Sequence, residues 1–212
     1  MSIKNIKNDL LTFKVITLGE SSVGKTSILR MFLLNVFDPN CISTIGLSFS
    51  FKDITLKNNQ KIKLKLIDTG GQEKFRALAK SYFKNADGVL FVYSKDNQKS
   101  FDNIKDWITM FNENHNGKID IPQYLVENKG DLEREVDENK SKEFAKENNL
   151  EFKQTSAKNN ESINELFQDI SELLYSNYME KNKDNIKQIG VKLNVENKKK
   201  GSQCCNIKSD MA

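Results

Sequence analysis

Apolar residues recur along this chain with two periods, and the alternation between the periods lays out the fold. Phe13-Lys14-Val15-Ile16-Thr17-Leu18 is a short β-type run, and Ser27 to Leu34 follows with Ile28, Leu29, Met31 and Phe32 available to a core. Val36 to Thr44 has no helical period and contains Pro39, so it is predicted as a loop. Ile45 to Lys57 is β-rich, and Lys61 to Asp68 alternates lysine and apolar residues at period two, the mark of a strand with one buried face. Asn58-Asn59 between them predicts a hairpin. Gln72 to Phe83 is weakly periodic and predicts an irregular helix. Asp87 to Ser94 is almost continuously apolar, as a central strand covered on both faces should be.

The second half repeats the scheme. Ser100 to Asn112 is amphipathic, with Phe101, Ile104, Ile108 and Phe111 on one stripe. Tyr124-Leu125-Val126 predicts a buried strand, Asn139 to Glu147 a helix, and Glu151 to Gln154 a short strand. Ser162 to Tyr178 predicts a helix carrying Ile163, Leu166, Phe167, Ile170, Leu173 and Leu174. The expectation is an α/β fold: a doubly wound, mostly parallel six-stranded sheet with one antiparallel strand and helices on both faces. Ligands in such sheets sit at the carboxyl ends of the strands. Each chemically suggestive loop of this chain follows a strand.

The first of those loops is Gly19-Glu20-Ser21-Ser22-Val23-Gly24-Lys25-Thr26, which fits G-x-x-x-x-G-K-[ST] at every specified position. Its glycines let the backbone bend so that successive N–H groups point inward at phosphates. The helix N-terminus adds partial positive charge. Lys25 would reach the β- and γ-phosphates, and the Thr26 hydroxyl would ligate Mg²⁺. The pattern places the fold among P-loop nucleoside triphosphatases, and a kinase, an ATPase or a GTPase could carry it.

Two later segments choose the base. Asn128-Lys129-Gly130-Asp131 directly follows a predicted strand. A carboxylate at Asp131 can accept N–H bonds from the guanine ring nitrogen and exocyclic amine, which adenine does not offer in that arrangement. A site built around such a partner rejects the analogue lacking it by roughly four to five orders of magnitude. Lys129 can cover the base with its stem, Asn128 can tie its loop to the phosphate loop, and Thr155-Ser156-Ala157-Lys158 can supply a backbone N–H to the guanine carbonyl.

Gly19–Thr26, Thr44, Asp68-Thr69-Gly70-Gly71-Gln72, Asn128–Asp131 and Ser156–Lys158 together resemble the ordered motif set of Ras-superfamily small GTPases. Ile42 to Phe49, Lys63 to Thr69, Gln72 to Arg76, Ser81-Tyr82-Phe83, Val92-Tyr93 and the paired Cys204-Cys205 resemble the Rab branch, over about residues 11–178. That resemblance implies a switch that hydrolyses GTP and regulates vesicle traffic. It implies nucleotide contacts from Ser21, Ser22, Val23, Gly24, Lys25, Thr26 and Ser27, with Phe37 stacked on the base. Thr26, Thr44 and Asp68 would hold Mg²⁺, Asp68 chiefly through water. Gly71 would donate to the γ-phosphate, and Gln72 would orient the attacking water. Implied partners are an exchange factor, a GTPase-activating protein, a GDP-dissociation inhibitor or escort protein, and effectors. The implied setting is a monomer on the cytosolic face of an endomembrane. A non-hydrolysing, unlipidated GTP-binding interaction module is the alternative. A P-loop small-molecule kinase is disfavoured by N-K-x-D and by the lack of a lid segment with clustered arginines.

The chain departs from the Rab pattern at Ile67, where Trp is usual, and at Gly70, where Ala is usual. Ser94 and Gly130 differ as well, away from the chemistry. Composition locates a third difference. The net charge of +4 falls entirely after Tyr178, where eight lysines face four carboxylates, so residues 1–178 are formally neutral. A neutral body with a basic, Asn-rich tail is not a nucleic-acid-binding composition. Three predicted parts follow: an N-terminal extension over 1–10, a GTP-binding domain over 11–178, and a basic tail over 179–212. Cys204 and Cys205 are candidate prenylation sites, although seven residues follow them and no C-a-a-X box is present. Lys198-Lys199-Lys200 would add roughly 1 kcal/mol each at an anionic membrane. Val191, Leu193 and Val195 resemble the contact that escort proteins use. Three cysteines make no disulfide framework and favour a reducing, cytosolic setting. Cys41 reads as a tolerated small residue, and His115, the sole histidine, as the end of a surface helix without a catalytic role.

Overall fold

The computed structural model describes residues 10–40, 44, 46–70, 76–115 and 121–183. Expectations for Cys41, Gly71, Gln72, Cys204 and Cys205 therefore lie outside the described residues. Six strands form one sheet in the order β2-β3-β1-β4-β5-β6. They are β1 Thr12–Leu18, β2 Leu47–Thr55, β3 Lys61–Thr69, β4 Gly88–Ser94, β5 Gln123–Asn128 and β6 Glu151–Gln154. β2 runs antiparallel to β3, and every other pairing is parallel. The expected hairpin and the expected single antiparallel strand are both present.

Alternation explains the packing. Ile62, Leu64 and Leu66 of β3 are buried while Lys61 is exposed, as the period-two pattern requires. All seven residues of β4 are buried, which matches its unbroken apolar run. On one face, Val89, Phe91 and Tyr93 join a cluster with Phe101, Ile104, Trp107 and Phe111. Helix α1 (Lys25–Leu34) brings Phe32 against Phe167 of α6 (Ile163–Lys181), with stacked rings 3.8 Å apart. Helix α2 spans Arg76–Phe83 and α5 spans Glu138–Glu147, the latter capped by Asp137, whose carboxylate accepts from the N–H groups of Asn139 and Lys140.

The helix expected over Ser100–Asn112 is corrected to two. α3 covers Gln98–Asp102 and α4 covers Ile104–Asn114, with a turn at Asn103 between them. There Asn103 O is shared between the N–H of Asp106 at 3.2 Å and that of Trp107 at 3.4 Å, a bifurcated bond of the kind found at helix ends. The stripe survives the break, since Phe101, Ile104, Ile108 and Phe111 are all buried. On α6, Leu173 is 39% exposed, whereas Leu174 beside it is buried. His115 ends α4, with Nε2 3.0 Å from Ala86 O and its ring stacked on Phe111.

The chain divides into a compact unit through Leu174 and a second unit from Tyr175, of which the end of α6 is described. Among the described residues no helix is long and apolar enough to cross a membrane.

Candidate nucleotide site

The carboxyl ends of β1, β3 and β5 open onto a cavity of about 500 Å³. Its lining includes Ser21, Ser22, Gly24, Lys25, Thr26, Ser27, Phe37, Thr44, Asn128, Lys129, Asp131, Ala157 and Lys158, all of them picked from the sequence. The structure thus gathers residues spread over 138 positions, from four separate loops, into one volume suited to a small ligand.

The phosphate end is set by two glycines. Gly19 has φ +144°, and a Cβ there would lie 2.1 Å from Val92 O, so β4 leaves no room for a side chain. Gly24 is the N-cap of α1 at φ +93°, and a Cβ there would lie 2.2 Å from Asn128 Nδ2. No side chain caps this helix, so its first-turn N–H groups border the cavity without intrahelical partners, the ordinary makings of an anion site. The Lys25 ammonium is 2.8 Å from Gly19 O and 2.6 Å from Glu20 O. Burial lowers its pKa to about 8, against the charges of Asp68 and Glu20, which push it up.

Beside Lys25 three oxygen-bearing side chains converge. The Thr26 hydroxyl donates to Asp68 Oδ2 at 2.7 Å, and the hydroxyls of Thr26 and Thr44 are 2.6 Å apart. The Thr44 hydroxyl is also 3.4 Å from Asp68 Oδ2. Asp68 is 5% exposed, and among the described residues its Oδ1 has no hydrogen-bond partner. Desolvation raises the Asp68 pKa, opposed by the Thr26 hydroxyl and by Lys25. A buried carboxylate oxygen without a donor, next to two hydroxyls, is an all-oxygen set that fits a hard cation such as Mg²⁺. Gly70 N–H donates to Gly46 O at 2.9 Å, so the segments carrying Thr44 and Asp68 are hydrogen-bonded at their ends.

The base end is held by Asn128. Its Nδ2 donates to Val23 O at 2.9 Å, and its Oδ1 accepts from Ala157 N–H at 3.2 Å and from the Thr155 hydroxyl at 3.3 Å. One buried amide therefore joins three loops. Asp131 lines the cavity with Oδ1 taking the Ser156 hydroxyl at 2.6 Å and Oδ2 3.6 Å from the Lys158 ammonium. Burial would raise its pKa, but the Ser156 hydroxyl and Lys158 win, and the net shift is downward. The carboxylate stays ionised and able to accept. Val23 and Ser156 act from behind the lining, one through its carbonyl and the other through Asp131.

Four cavity residues were not picked from the sequence: Asp38, Pro39, Thr69 and Leu132. Asp38 pairs with Arg30 at 3.1 Å, a contact eight residues apart with no motif to announce it. Ile67, where Trp is usual, is fully buried opposite Phe49, which is 61% exposed. Gly130 sits where a Cβ would come within 3.2 Å of Thr155 O.

Residues 14–176 match the Ras family model. A Ras-related protein, SEC4 of Saccharomyces cerevisiae, is 38% identical over 76% of this chain and 74% of its own length. The GTP-binding protein ypt3 of Schizosaccharomyces pombe is 38% identical over 91% of this chain and 95% of its own. Ras-related protein Rab-10 of Diplobatis ommata is 40% identical over 76% of this chain and 80% of its own.

Proposed function

Because the chain belongs to the Ras family, as a Rab-like small GTPase that hydrolyses GTP and regulates vesicle traffic, we propose which of its residues do this and how. Asp131 reads the guanine ring N–H and exocyclic amine, Lys129 and Phe37 enclose the base, and the loop of Ser156, Ala157 and Lys158 supplies a backbone N–H to the guanine carbonyl. The backbone from Ser21 to Ser27 cradles the phosphates, and Lys25 leaves the Gly19 and Glu20 carbonyls for the β- and γ-phosphates. Thr26, Thr44 and Asp68 would hold Mg²⁺, which when bound would neutralise phosphate charge. Gly71 N–H takes the γ-phosphate and Gln72 orients the water. Thr44 and Gly71 sense that phosphate, so its release frees both contacts and ends the signal.

The observation that carries this reading is one cavity with two chemistries: Thr26 and Thr44 on its lining are backed by the buried Asp68 carboxylate, and Asp131, ionised, lines it beside Lys158. The test is single-turnover phosphate release from preloaded GTP. The intrinsic rate should be on the order of 10⁻⁴ to 10⁻³ per second, as for sites without an arginine finger, and a partner supplying an arginine should accelerate it. No phosphate release with or without such a partner would favour the non-hydrolysing module. Equal competition by ATP would remove the guanine reading.

The proposal extends to the setting. An exchange factor, an activating protein, an escort or dissociation inhibitor and effectors act on a monomeric GTP-binding domain at 11–178, preceded by an extension at 1–10. The basic tail at 179–212 anchors it through prenyl groups on Cys204 and Cys205 to the cytosolic face of an endomembrane. Lys198 to Lys200 strengthen that anchor, and the composition favours membrane over nucleic acid. Intact mass of protein from its own cell tests the lipids, and an unshifted mass would remove them.

A further inference from the structure

Glu127 is 1% exposed in a chain where 29% of residues are charged, and it is fully engaged. Arg134 grips it bidentately, with Nη2 donating to Oε1 at 2.7 Å and Nη1 to Oε2 at 2.9 Å. The Tyr93 hydroxyl on β4 donates to Oε2 at 2.7 Å, and Gln154 Nε2 at the end of β6 donates to Oε1 at 3.2 Å. The Glu127 carbonyl accepts from the Thr155 N–H at 2.7 Å and shares the one Thr155 hydroxyl proton, at 3.1 Å, with Asn128 Oδ1.

The placement of these groups is what matters. Glu127 immediately precedes Asn128, Arg134 lies three residues beyond Asp131, and Gln154 and Thr155 lead into Ser156–Lys158. The pair thus closes the loop that carries Asn128, Lys129 and Asp131, and the same carboxylate fastens the stem of the other base loop. Lys95 assists from β4's end: its ammonium donates to Gly130 O at 2.8 Å, and its carbonyl accepts from the N–H groups of Glu135 and Val136.

We propose that Glu127 and Arg134 are positioning residues for guanine recognition, a clasp that fixes Asp131 against Ser156 in the geometry the base requires. The proposal rests on the base-reading role given to Asp131. Glu127 is buried and Arg134 only half-buried, and such an ion pair adds little stability that well-packed apolar residues could not supply. A guanidinium fork on a carboxylate adds orientation, because two parallel bonds fix the relative planes. Orientation is what a carboxylate needs if it must face two N–H groups of one heterocycle at once.

The experiment uses the full chain loaded with fluorescent GDP or IDP, whose hypoxanthine lacks the exocyclic amine, and measures dissociation in chase. Asp131→Asn serves as the reference and should erase the preference for GDP. Should it not do so, the reading of Asp131 fails and the clasp with it. Arg134→Lys, which keeps charge but loses the fork, and Glu127→Gln should each speed GDP release by about tenfold, the size of effect that outer partners of a ligand-binding group carry. IDP release should change far less, so that the GDP/IDP ratio shrinks. The single-turnover hydrolysis constant at saturating GTP should hold, since Lys25, Thr26 and Asp68 lie on other loops. Equal acceleration of GDP and IDP, or no change in either while Asp131→Asn behaves as expected, would overturn the proposal. Melting curves identify folded variants. If Arg134→Ala, the more severe change, does not fold, the two conservative variants still decide.

Discussion

The indole N–H of Trp107 donates to Glu20 Oε1 at 3.0 Å, tying the middle of α4 to the phosphate loop across 87 residues. Trp107 is the only tryptophan of the chain and is fully buried. The Glu20 carbonyl, on the same residue, accepts from Lys25 Nζ at 2.6 Å. α4 therefore braces the loop that positions the lysine. Trp107→Phe keeps an aromatic ring but deletes the donor to a carboxylate, a bond worth about 2 kcal/mol. A fall in melting temperature of roughly 4–8 °C is expected for a domain of this size. Differential scanning calorimetry of the GDP-loaded protein checks it. An unchanged transition would mean the bond contributes nothing to stability.

Much of this site could be read in the sequence because its chemistry is written in short, contiguous stretches. Gly19–Thr26 and Asn128–Asp131 each belong to one loop, and their roles follow from residue type and spacing. β3 and β4 were legible because a period of two and an unbroken apolar run each have one structural meaning. What escaped the sequence depends on pairing across the chain. Glu127 and Arg134 read as ordinary charges in a highly charged chain, and only the sheet shows that one of them is buried. Trp107 lies three residues after Ile104 and belonged on the α4 stripe from the start, but its bond to Glu20 has no local signal. The turn at Asn103 leaves the buried stripe intact and so leaves no mark on the periodicity, while Leu173 lies where a helical stripe has an edge, which periodicity blurs.

Chelation should loosen the nucleotide. Asp68 Oδ1 is buried without a partner among the described residues, and Thr26 and Thr44 crowd its other oxygen, so the cation proposed there offsets the cost of a bare carboxylate. A bound divalent ion contributes several kcal/mol of charge stabilisation, so excess EDTA should speed GDP release roughly a hundredfold or more. In Asp68→Ala, release should become insensitive to Mg²⁺ concentration. A variant that still responds as the wild type does would place the ion elsewhere.

Gln72→Leu should separate holding from hydrolysis. Gln72 lies outside the described residues, and the water-orienting role proposed for it is the one implied by the resemblance of Asp68-Thr69-Gly70-Gly71-Gln72 to the Ras-superfamily motif. A leucine of similar size cannot orient a water, so partner-stimulated phosphate release should fall by roughly 10²-fold or more, in the range of general acid–base and positioning effects. GTP affinity should stay within a factor of about three, because no binding contact is assigned to that side chain. Isothermal titration with a non-hydrolysable GTP analogue and stopped-flow phosphate release measure the two quantities independently.

Gly24 and Asn128 should behave as one unit. The Asn128 amide donates to Val23 O at 2.9 Å while passing over Gly24, where an added Cβ would lie 2.2 Å from Nδ2. Asn128→Ala removes that bond and those to Ala157 and Thr155, so at about 1 kcal/mol each the nucleotide should bind roughly a hundredfold more weakly. Gly24→Ala should weaken binding for a different reason: it forces the Asn128 amide aside and strains a backbone held at φ +93°. On the Asn128→Ala background the collision is gone and only the strain remains. The double variant should therefore lose less than the two single losses combined, with a coupling of about 1–3 kcal/mol, as for residues in contact. GDP dissociation constants for the four proteins close the cycle, and strict additivity would show that Gly24 is required for its backbone conformation alone.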